Sequence, residues 1–323
     1  MSGTITQPPL RTGTFRQFEI LLAVYATGSI TEAAEQLSLT QPSVSMQLKK
    51  LSETLGVVLY DSIGKGIRFT DAGRAVIAGA RDVVNRLASL DAALADLKGL
   101  KAGRLRLGMV TTSEYFVPHL LGDFCQTYPD VEIEVTVGNR QVINERLLQG
   151  LDDFCVFSHP PDDTAVLALR FLPNPLVAIA PLEHPLAQRG QISLAEFSRY
   201  PLIGREPGSG TRLSIENHFA DHGEKMNLRM AIDSNEAIKH SVMAGLGVSI
   251  VSSHSLTAGG RQGLVELNVD SLPIVTQWYL ARLKPIRPSV VAHTFLDYVE
   301  TEGRNRLLES LRRDNPAIAA YCT

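Results

Sequence analysis

Between Ser29 and Gly56 the sequence carries the pattern of two short helices joined by a tight turn, and no other segment limits the possible folds as strongly. Ser29 and Glu32 have the S-x-x-E spacing of a capping box, which satisfies free amides at a helix start. Pro42 fits the first turn of the second helix, where a missing N–H costs nothing. Gly56 fits a left-handed C-cap. We therefore expect a compact helical pair in this segment.

The second helix of the pair is expected to have one buried and one polar face. Val44, Leu48, Leu51 and Leu55 recur every three or four residues, which predicts a single buried stripe. A short helix followed by a helix with a polar and basic face is what a major-groove reader requires. The expected DNA contacts are Gln41, Ser43, Ser45 and Gln47 on base edges, Lys49, Lys50, Lys65 and Arg68 on phosphates, and Thr31.

Two amphipathic helices on their own favour an ordinary helical hairpin with a solvated face, and the flanking sequence reverses this preference. An apolar stripe from Phe15 to Tyr25 predicts a supporting helix in front of the pair. Behind it, residues 57–60 and 67–70 predict two short strands around the turn-prone Gly64-Lys65-Gly66. Such a hairpin is a wing, so the segment predicts a winged helix-turn-helix.

The composition of the 323-residue chain suits two or three domains. With 44% hydrophobic and 20% charged residues, the chain is typical of globular proteins. It has no apolar run of about eighteen residues, which excludes a membrane span, and its first residues lack the regions of a signal peptide. Cys125, Cys155 and Cys322 have no metal-ligand spacing, so we expect reduced thiols in a cytoplasm.

Charge is distributed unevenly along the chain, whose net charge is −3. Residues 1–104 contain 12 Lys or Arg and 9 Asp or Glu, a net of +3, so the remainder contains 19 and 25, a net of −6. Such a small positive excess suits a protein that binds DNA as a dimer or larger assembly, because its subunits then pool their phosphate contacts.

A long helix with a heptad repeat is predicted between Asp71 and Gly99. Its apolar residues alternate at spacings of 4 and 3, which is the 3.5-residue period of a coiled-coil seam. The alternative is a long helix packed on its own domain, but the strict repeat favours an intermolecular partner. Residues 99–103 are then typical of a hinge. The expected dimer seam comprises Val76, Ala80, Val83, Leu87, Leu90, Leu94 and Leu97.

From Arg104 onward strands and helices alternate, which is typical of parallel α/β units. A second set of such units begins near Leu176, and the chain then returns to the first, which predicts a two-lobed clamp with a cleft. Ligands bind at the carboxyl ends of the strands in such sheets. The first-lobe elements expected are strands 104–110, 131–137 and 154–158 and helices 115–128 and 141–149, and the return is strand 276–283 with helix 289–302.

The most specific segment of this half is Arg205-Glu206-Pro207-Gly208-Ser209-Gly210-Thr211-Arg212, which follows a predicted strand and opens a helix. Glycines let the backbone approach a ligand, and free amides at a helix start favour an anion. The alternative is a tight turn with an ion pair between Arg212 and Glu216. The expected effector-binding residues are Thr111, Thr112, Ser113, Asn139, Arg140, Arg205, Glu206, Ser209, Thr211 and Arg212.

The sequence contains no catalytic or metal-binding pattern, so neither an enzymatic activity, a cofactor nor a metal is predicted. The eight His residues are scattered, and His159 and His184, which lie beside prolines, are expected at the surface. An α/β enzyme or transport-type binding protein with a DNA-binding appendage is the rival interpretation. An architectural nucleoid protein without a ligand is disfavoured by the long two-lobed half.

Residues 29–45, the wing ending Thr70-Asp71-Ala72-Gly73, the heptad helix and the α/β half together resemble LysR-type transcriptional regulators. The resemblance implies homotetramers on promoter DNA, periplasmic-binding-protein-like effector domains, a small effector and contact with RNA polymerase. It also places effector contacts at Thr111, Thr112 and Ser113. Many members carry Arg at the position of Ser62, so Lys65 and Arg68 would carry more of the wing's phosphate contacts here.

Within that family, residues 171–181, 184–187 and 205–212 look most like the regulators of Calvin-cycle (RuBisCO) operons. This resemblance implies a sugar phosphate, phosphoenolpyruvate or an NADPH-like anion as the effector. The predicted protein is multidomain: an all-α winged helix-turn-helix with a long linker helix, then an α/β two-lobed effector domain. The expected boundaries are an arm at 1–13, the DNA-binding domain at 14–73, the linker at 74–98, a hinge at 99–103, the effector domain at 104–307 (lobe I 104–175 and 276–307, lobe II 176–275) and a tail at 308–323.

Overall fold

The computed structural model describes residues 13–63, 66–97, 103–257, 260–284, 286 and 288–314. For residues 62, 63, 85, 88, 89, 91–97 and 314 the description covers the backbone alone. The chain divides into two compact units, Met1–Asp91 and Ala92–Thr323, each with its own hydrophobic core. Lys65 lies outside the described residues, as do residues 1–12 of the expected arm, 98–102 around the expected hinge and 315–323 of the expected tail.

The first unit is a set of helices with a two-stranded wing. Its elements are α1 (Phe15–Thr27), α2 (Ile30–Gln36), α3 (Gln41–Leu55), β1 (Tyr60–Ile63), β2 (Gly66–Phe69) and α4 (Asp71–Leu97). As predicted, Pro42 lies in the first turn of α3 and Gly56 caps that helix with a φ of 70°. At α2 the Ser29 hydroxyl accepts from the Glu32 amide, which is the Ser29 half of the expected capping box. Both halves of a capping box form at α1 instead, between Thr14 and Gln17.

The first wing strand begins three residues later than predicted, at Tyr60, and pairs antiparallel with β2 so that Tyr60 faces Phe69. Thr70 fixes this offset, because its hydroxyl donates to the Val58 carbonyl oxygen at 2.7 Å. Gly73 at the start of α4 lies so close to the Leu59 carbonyl that any side chain there would collide with it. The chain before β1 is thus held by the start of α4.

The first half of α4 packs within its own unit. Ile77 and Ala80 are buried there beside the apolar stripe of α3. Ala80, which was expected in the intermolecular seam, therefore packs inside its own unit. The first turns of α4 bury their apolar side chains against the other helices of that unit. Further along, Val83, Leu87 and Leu90 are 42%, 41% and 52% exposed. The side chains of the two remaining seam residues, Leu94 and Leu97, lie outside the described residues.

The second unit is built on a mixed sheet. Its strands are β3 (Gly103–Val110), β4 (Val131–Gly138), β5 (Phe154–Phe157), β6 (Val166–Pro181), β7 (Leu202–Arg205), β8 (Leu228–Ile232), β9 (Ser249–Ser252), β10 (Leu264–Leu267) and β11 (Ile274–Leu283). Seven of them form one sheet in the order β10-β6-β11-β5-β3-β4, with β9 also paired to β6. The β3–β4, β3–β5 and β7–β8 pairs are parallel, as the alternation predicts. The pairs that involve β6 and β11 are antiparallel, which corrects the expectation of parallel units throughout.

The 16-residue strand β6 connects the two lobes. Its first part pairs with β11 in one lobe, and its last part pairs with β9 and β10 in the other. The lobe boundary expected at residues 175 and 176 therefore falls inside a continuous strand. Each lobe has a core of its own, one around Phe124 and Trp278 and the other around Ile215 and Ile250.

Helices cover both lobes, and two of them differ from expectation. They are α5 (Val117–Thr127), α6 (Arg140–Leu148), α7 (Leu194–Phe197), α8 (Gly210–Asp221), α9 (Asn235–Met243), α10 (Val290–Tyr298) and α11 (Arg304–Asp314). A separate 3-10 turn, Thr111–Tyr115, precedes α5, where one helix from Tyr115 was expected. A π-helical turn, Val299–Gly303, interrupts the final helix. Leu311 on α11 is buried in the first-lobe core, so the packed domain extends past the boundary expected at Leu307.

Candidate functional site

The outer face of α3 carries most of the residues expected to contact DNA. The helix buries Val44, Leu48 and Leu51, which turns the intervening polar residues outward. Ser43 and Ser45 are half-buried beside this stripe. The Ser43 hydroxyl lies 2.8 Å from that of Thr40, the N-cap of the helix. The exposed members of the expected set are Thr31, Gln41, Lys49, Lys50 and Arg68.

Gln47, another expected base reader, is half-buried like Ser43 and Ser45, and its side-chain oxygen is engaged within the unit. Its Oε1 accepts from the Nε2 of the buried Gln17 at 3.2 Å and so ties α3 to α1. The neighbouring Met46 is 61% exposed on the outer face and was not among the expected contacts. Its place opposite the buried stripe is the sequence feature that identifies it, and a thioether there suits the apolar methyl of a thymine.

On the wing, Arg68 is exposed and lies 4.0 Å from Asp61 on the paired strand. Ion pairs this exposed contribute little to stability, so Arg68 can exchange Asp61 for a phosphate at small cost. Lys65 and the side chain of Ser62 lie outside the described residues.

In the second unit, Arg205 joins the two lobes across the cleft. Its Nη1 donates to Thr112 Oγ1 at 2.9 Å and to Asn235 Oδ1 at 3.0 Å, and its Nη2 donates to Thr111 Oγ1 at 3.1 Å. The Asn235 amide also donates to Thr112 Oγ1 at 3.0 Å. Thr111 and Thr112 follow β3 in the first lobe, whereas Asn235 begins α9 in the second. These buried bonds therefore define how closely the lobes approach.

The glycine-rich turn places the start of α8 against the first lobe. Gly208 has a φ of 86°, a left-handed conformation that favours glycine. Ser209 caps α8 by accepting from the Arg212 amide at 3.1 Å. Gly210 lies so close to Ser158 and His159 that a side chain there would collide with them. The first amides of a 12-residue helix thus lie in the cleft, where an anion is favoured.

His159 lies in this cleft and not at the surface, where it was expected. Its ring nitrogens lie 3.4 Å from Ser158 Oγ and 3.3 Å from Ser214 Oγ, and its carbonyl accepts from Arg140 Nε at 3.0 Å. Burial, together with the nearby Arg140 guanidinium, lowers the pKa of the imidazole. A neutral His159 can therefore donate or accept a hydrogen bond at the edge of the pocket.

Seven of the ten expected effector-binding residues line one pocket: Thr111, Thr112, Arg140, Arg205, Glu206, Ser209 and Thr211. The structure adds Val110, Phe157, Ser158, His159, Gly210 and Trp278 to this lining. Apolar residues such as Trp278 look like core positions in the sequence, and only the return of β11 beside β5 brings that indole to the pocket.

The other three expected residues are engaged outside the pocket. Ser113 donates to the Val110 carbonyl oxygen at 2.7 Å, and Asn139 caps α6 by accepting from the Val142 amide at 3.0 Å. Arg212 Nε donates to Glu216 Oε1 at 2.7 Å, which is the ion pair weighed as the alternative to a ligand contact.

A second set of contacts crosses the cleft beside Arg205. The Tyr115 hydroxyl donates to Glu236 Oε1 at 2.6 Å, and Lys239 Nζ lies 2.7 Å from the same oxygen. Burial, followed by the Glu236 charge, raises the pKa of the Glu114 carboxyl beside them. On this side of the cleft the charge of Lys239 is already paired with Glu236, and Glu114 and Glu236 add negative charge, so an anion is better accommodated beside Arg140.

Among the described residues no cluster of His, Cys, Asp and Glu is arranged to hold a metal ion. In that same part of the chain no helix is both long and apolar enough to cross a membrane.

A winged helix-turn-helix combined with a two-lobed α/β domain and a polar cleft defines a class of ligand-responsive, DNA-binding regulators. Residues 15–74 match the bacterial regulatory helix-turn-helix proteins of the lysR family, and residues 98–304 match the LysR substrate binding domain. The chain belongs to the LysR family of transcriptional regulators, which are not enzymes.

Relatives are similar over nearly the whole chain. The transcriptional activator CmpR of a Synechocystis strain is 47% identical over 90% of this chain and 96% of its own length. The RuBisCO operon transcriptional regulator of Acidithiobacillus ferrooxidans is 39% identical over 92% of this chain and 97% of its own. The regulatory domain of Synechocystis CcmR, solved in complex with 2-PG, is 41% identical with a TM-score of 0.60, over 63% of this chain and 98% of that domain.

Proposed function

We propose that this protein is a promoter-binding regulator of carbon-fixation genes, controlled by a small phosphorylated acid bound in the cleft. The observation that carries the proposal is the convergence of Arg140, Arg205 and the start of α8 on one pocket. Guanidinium groups and free helix amides are the groups that recognise phosphate and carboxylate.

The relatives support the choice of genes and of ligand. Regulators named for RuBisCO operons match almost the full chain, and the CcmR domain was solved with 2-PG, taken here as 2-phosphoglycolate. That compound carries a phosphate and a carboxylate, as phosphoenolpyruvate does. We take 2-phosphoglycolate as the first ligand to test, ahead of larger sugar phosphates or an NADPH-like anion.

On DNA, we assign base contacts to Gln41, Ser43, Ser45 and Met46 of α3, and phosphate contacts to its lysines and the wing. The exposed Val83, Leu87 and Leu90 of α4 are the surface through which two copies pair. Homotetramers built from such pairs would bring several helices to one promoter, and a ligand-induced change in lobe closure would alter their contact with DNA and with RNA polymerase.

The test of ligand binding uses Trp278, because it is the chain's one tryptophan and lines the pocket. Titration with 2-phosphoglycolate should change its fluorescence, whereas glycolate, which lacks the phosphate, should not. Thr211→Val should weaken binding about tenfold, since a hydrogen bond to a charged group is lost. Thr164→Val is the matched control, because Thr164 is exposed and does not line the pocket. Equal responses to both compounds would contradict the proposal.

A further inference from the structure

Every N–H of the Arg205 guanidinium already has a partner within the protein. An arginine side chain has five N–H donors. Besides the three bonds to Thr111, Thr112 and Asn235, Nε donates to Glu206 Oε2 at 2.7 Å and Nη2 donates to Glu206 Oε1 at 3.0 Å. The group expected to bind the ligand therefore has no donor left over.

The contact between Arg205 and Glu206 has the form of a ligand contact. Two parallel N–H···O bonds to the two oxygens of one carboxylate are the way in which arginine holds a carboxylate or a phosphate. The side chains are 5% and 18% exposed, so water weakens this pair little. Glu206 also lines the pocket itself, next to Ser209 and Thr211.

We propose that the Glu206 carboxylate is a built-in competitor, which occupies the anion-binding edge of Arg205 until an acidic ligand displaces it. The inference rests on the proposed function, since it concerns the same pocket. The bonds from Arg205 to Thr111, Thr112 and Asn235 use other donors and persist during the exchange. Displacement of Glu206 thus leaves the lobe-bridging bonds in place and frees one carboxylate to move.

This exchange makes the pocket selective for ligands that carry negatively charged groups. A ligand without an anionic group cannot replace a charge-assisted pair, because it would leave both Arg205 and Glu206 without their partner. A ligand carrying two anionic groups replaces the pair at Arg205 and gains Arg140 and the α8 amides as well. Glu206 therefore lowers the affinity for every acid while rejecting neutral compounds of the same shape.

The test compares two glutamates that make matching ion pairs. Glu206→Gln removes the competing charge while keeping the side-chain size, and it should tighten binding of 2-phosphoglycolate by about tenfold or more, because a like charge no longer opposes the ligand. Glu216→Gln is the control, since Glu216 accepts from Arg212 Nε at the same 2.7 Å but does not line the pocket. Its dissociation constant should stay within about twofold of the parent's, as expected of a surface pair.

Weaker binding by Glu206→Gln, or a change no larger than that of Glu216→Gln, would overturn the inference. Glu206→Asp provides a second variant if the first does not fold, because its shorter carboxylate cannot reach Arg205 with both oxygens and should also bind more tightly than the parent. If the parent and all variants fail to bind 2-phosphoglycolate, the proposed function fails and the inference with it. If the parent binds and Glu206→Gln gains nothing, the inference alone fails.

Discussion

His254, a single residue beneath the cleft, links the stability of the effector unit to pH. The imidazole is fully buried, its Nε2 donates to the Pro173 carbonyl oxygen at 2.8 Å, and burial lowers its pKa to about 4. An unfolded histidine titrates near pH 6.5. Because the folded pKa is the lower one, the stabilising contribution is complete above pH 6.5 and is lost as the pH falls toward 4, by at most about 1.4 kcal/mol per pH unit.

His254→Gln should therefore be less stable than the parent at pH 7.5 but depend less on pH between 6.5 and 4. Urea unfolding followed by Trp278 fluorescence measures both, since the indole lies 6.5 Å from the imidazole between ring centroids. Other groups titrate equally in both proteins, so the difference between the two curves isolates His254. Parallel curves would show that the residue does not control the pH dependence.

Gln47 shows how a residue of a predicted interface can also hold two helices of its own unit together through one hydrogen bond. The buried Gln17 uses its Oε1 to cap α1 and its Nε2 to reach Gln47. Gln47→Ala should lower the free energy of unfolding of the DNA-binding unit by about 1 kcal/mol, because a buried donor loses its acceptor. Met46→Ala, one position away and exposed, should leave thermal unfolding unchanged and weaken operator binding. Identical melting of the two variants would show that the Gln17–Gln47 bond does not stabilise the unit.

At the scale of secondary-structure elements, periodicity in the sequence predicted helices and strands well and their ends less well. The buried stripe of α3 and its Pro42 and Gly56 termini follow from local rules, and the structure has them as predicted. The start of β1 depends instead on Thr70 and Gly73, which act from beyond the strand. The continuity of β6 through two lobes, and the π-turn before α11, depend on tertiary partners that a single sequence does not reveal.

The difference between features set by local sequence and features set by tertiary partners also explains which residues of the candidate site could be predicted. The glycine-rich turn and its serine could be recognised locally because a helix start follows its own residues. Arg205 and Arg212 flank the same turn, and the sequence does not distinguish their roles. In the structure Arg212 pairs with Glu216 on its own helix, whereas Arg205 reaches across the cleft to Thr112. His159 and Trp278 were missed because the antiparallel return of β11 and the approach of Gly210 bring them to the pocket.

At the scale of the whole molecule, we expect DNA affinity to depend on how many copies bind together. The first 104 residues carry a net charge of only +3, so one copy neutralises few phosphates. We expect the exposed heptad residues of α4 to provide the means of pairing, whereas Val76 and Ala80 belong to the core of their own unit. Dimerisation should therefore depend on Val83, Leu87 and Leu90 more than on the start of the seam.

Leu87→Glu places a charge in the centre of that exposed stripe and should convert dimers to monomers in sedimentation experiments. The logarithm of DNA affinity falls linearly with the logarithm of salt concentration, with a slope set by the number of phosphates contacted. The slope for the variant should be about half that of the parent, because one set of contacts remains. Ala78→Glu adds the same charge to an exposed position off the seam and should preserve both the dimer and the slope. A Leu87→Glu protein that remains dimeric would contradict the assignment of this stripe as the pairing surface. A monomeric variant with an unchanged slope would show that the charge on each copy suffices without pairing.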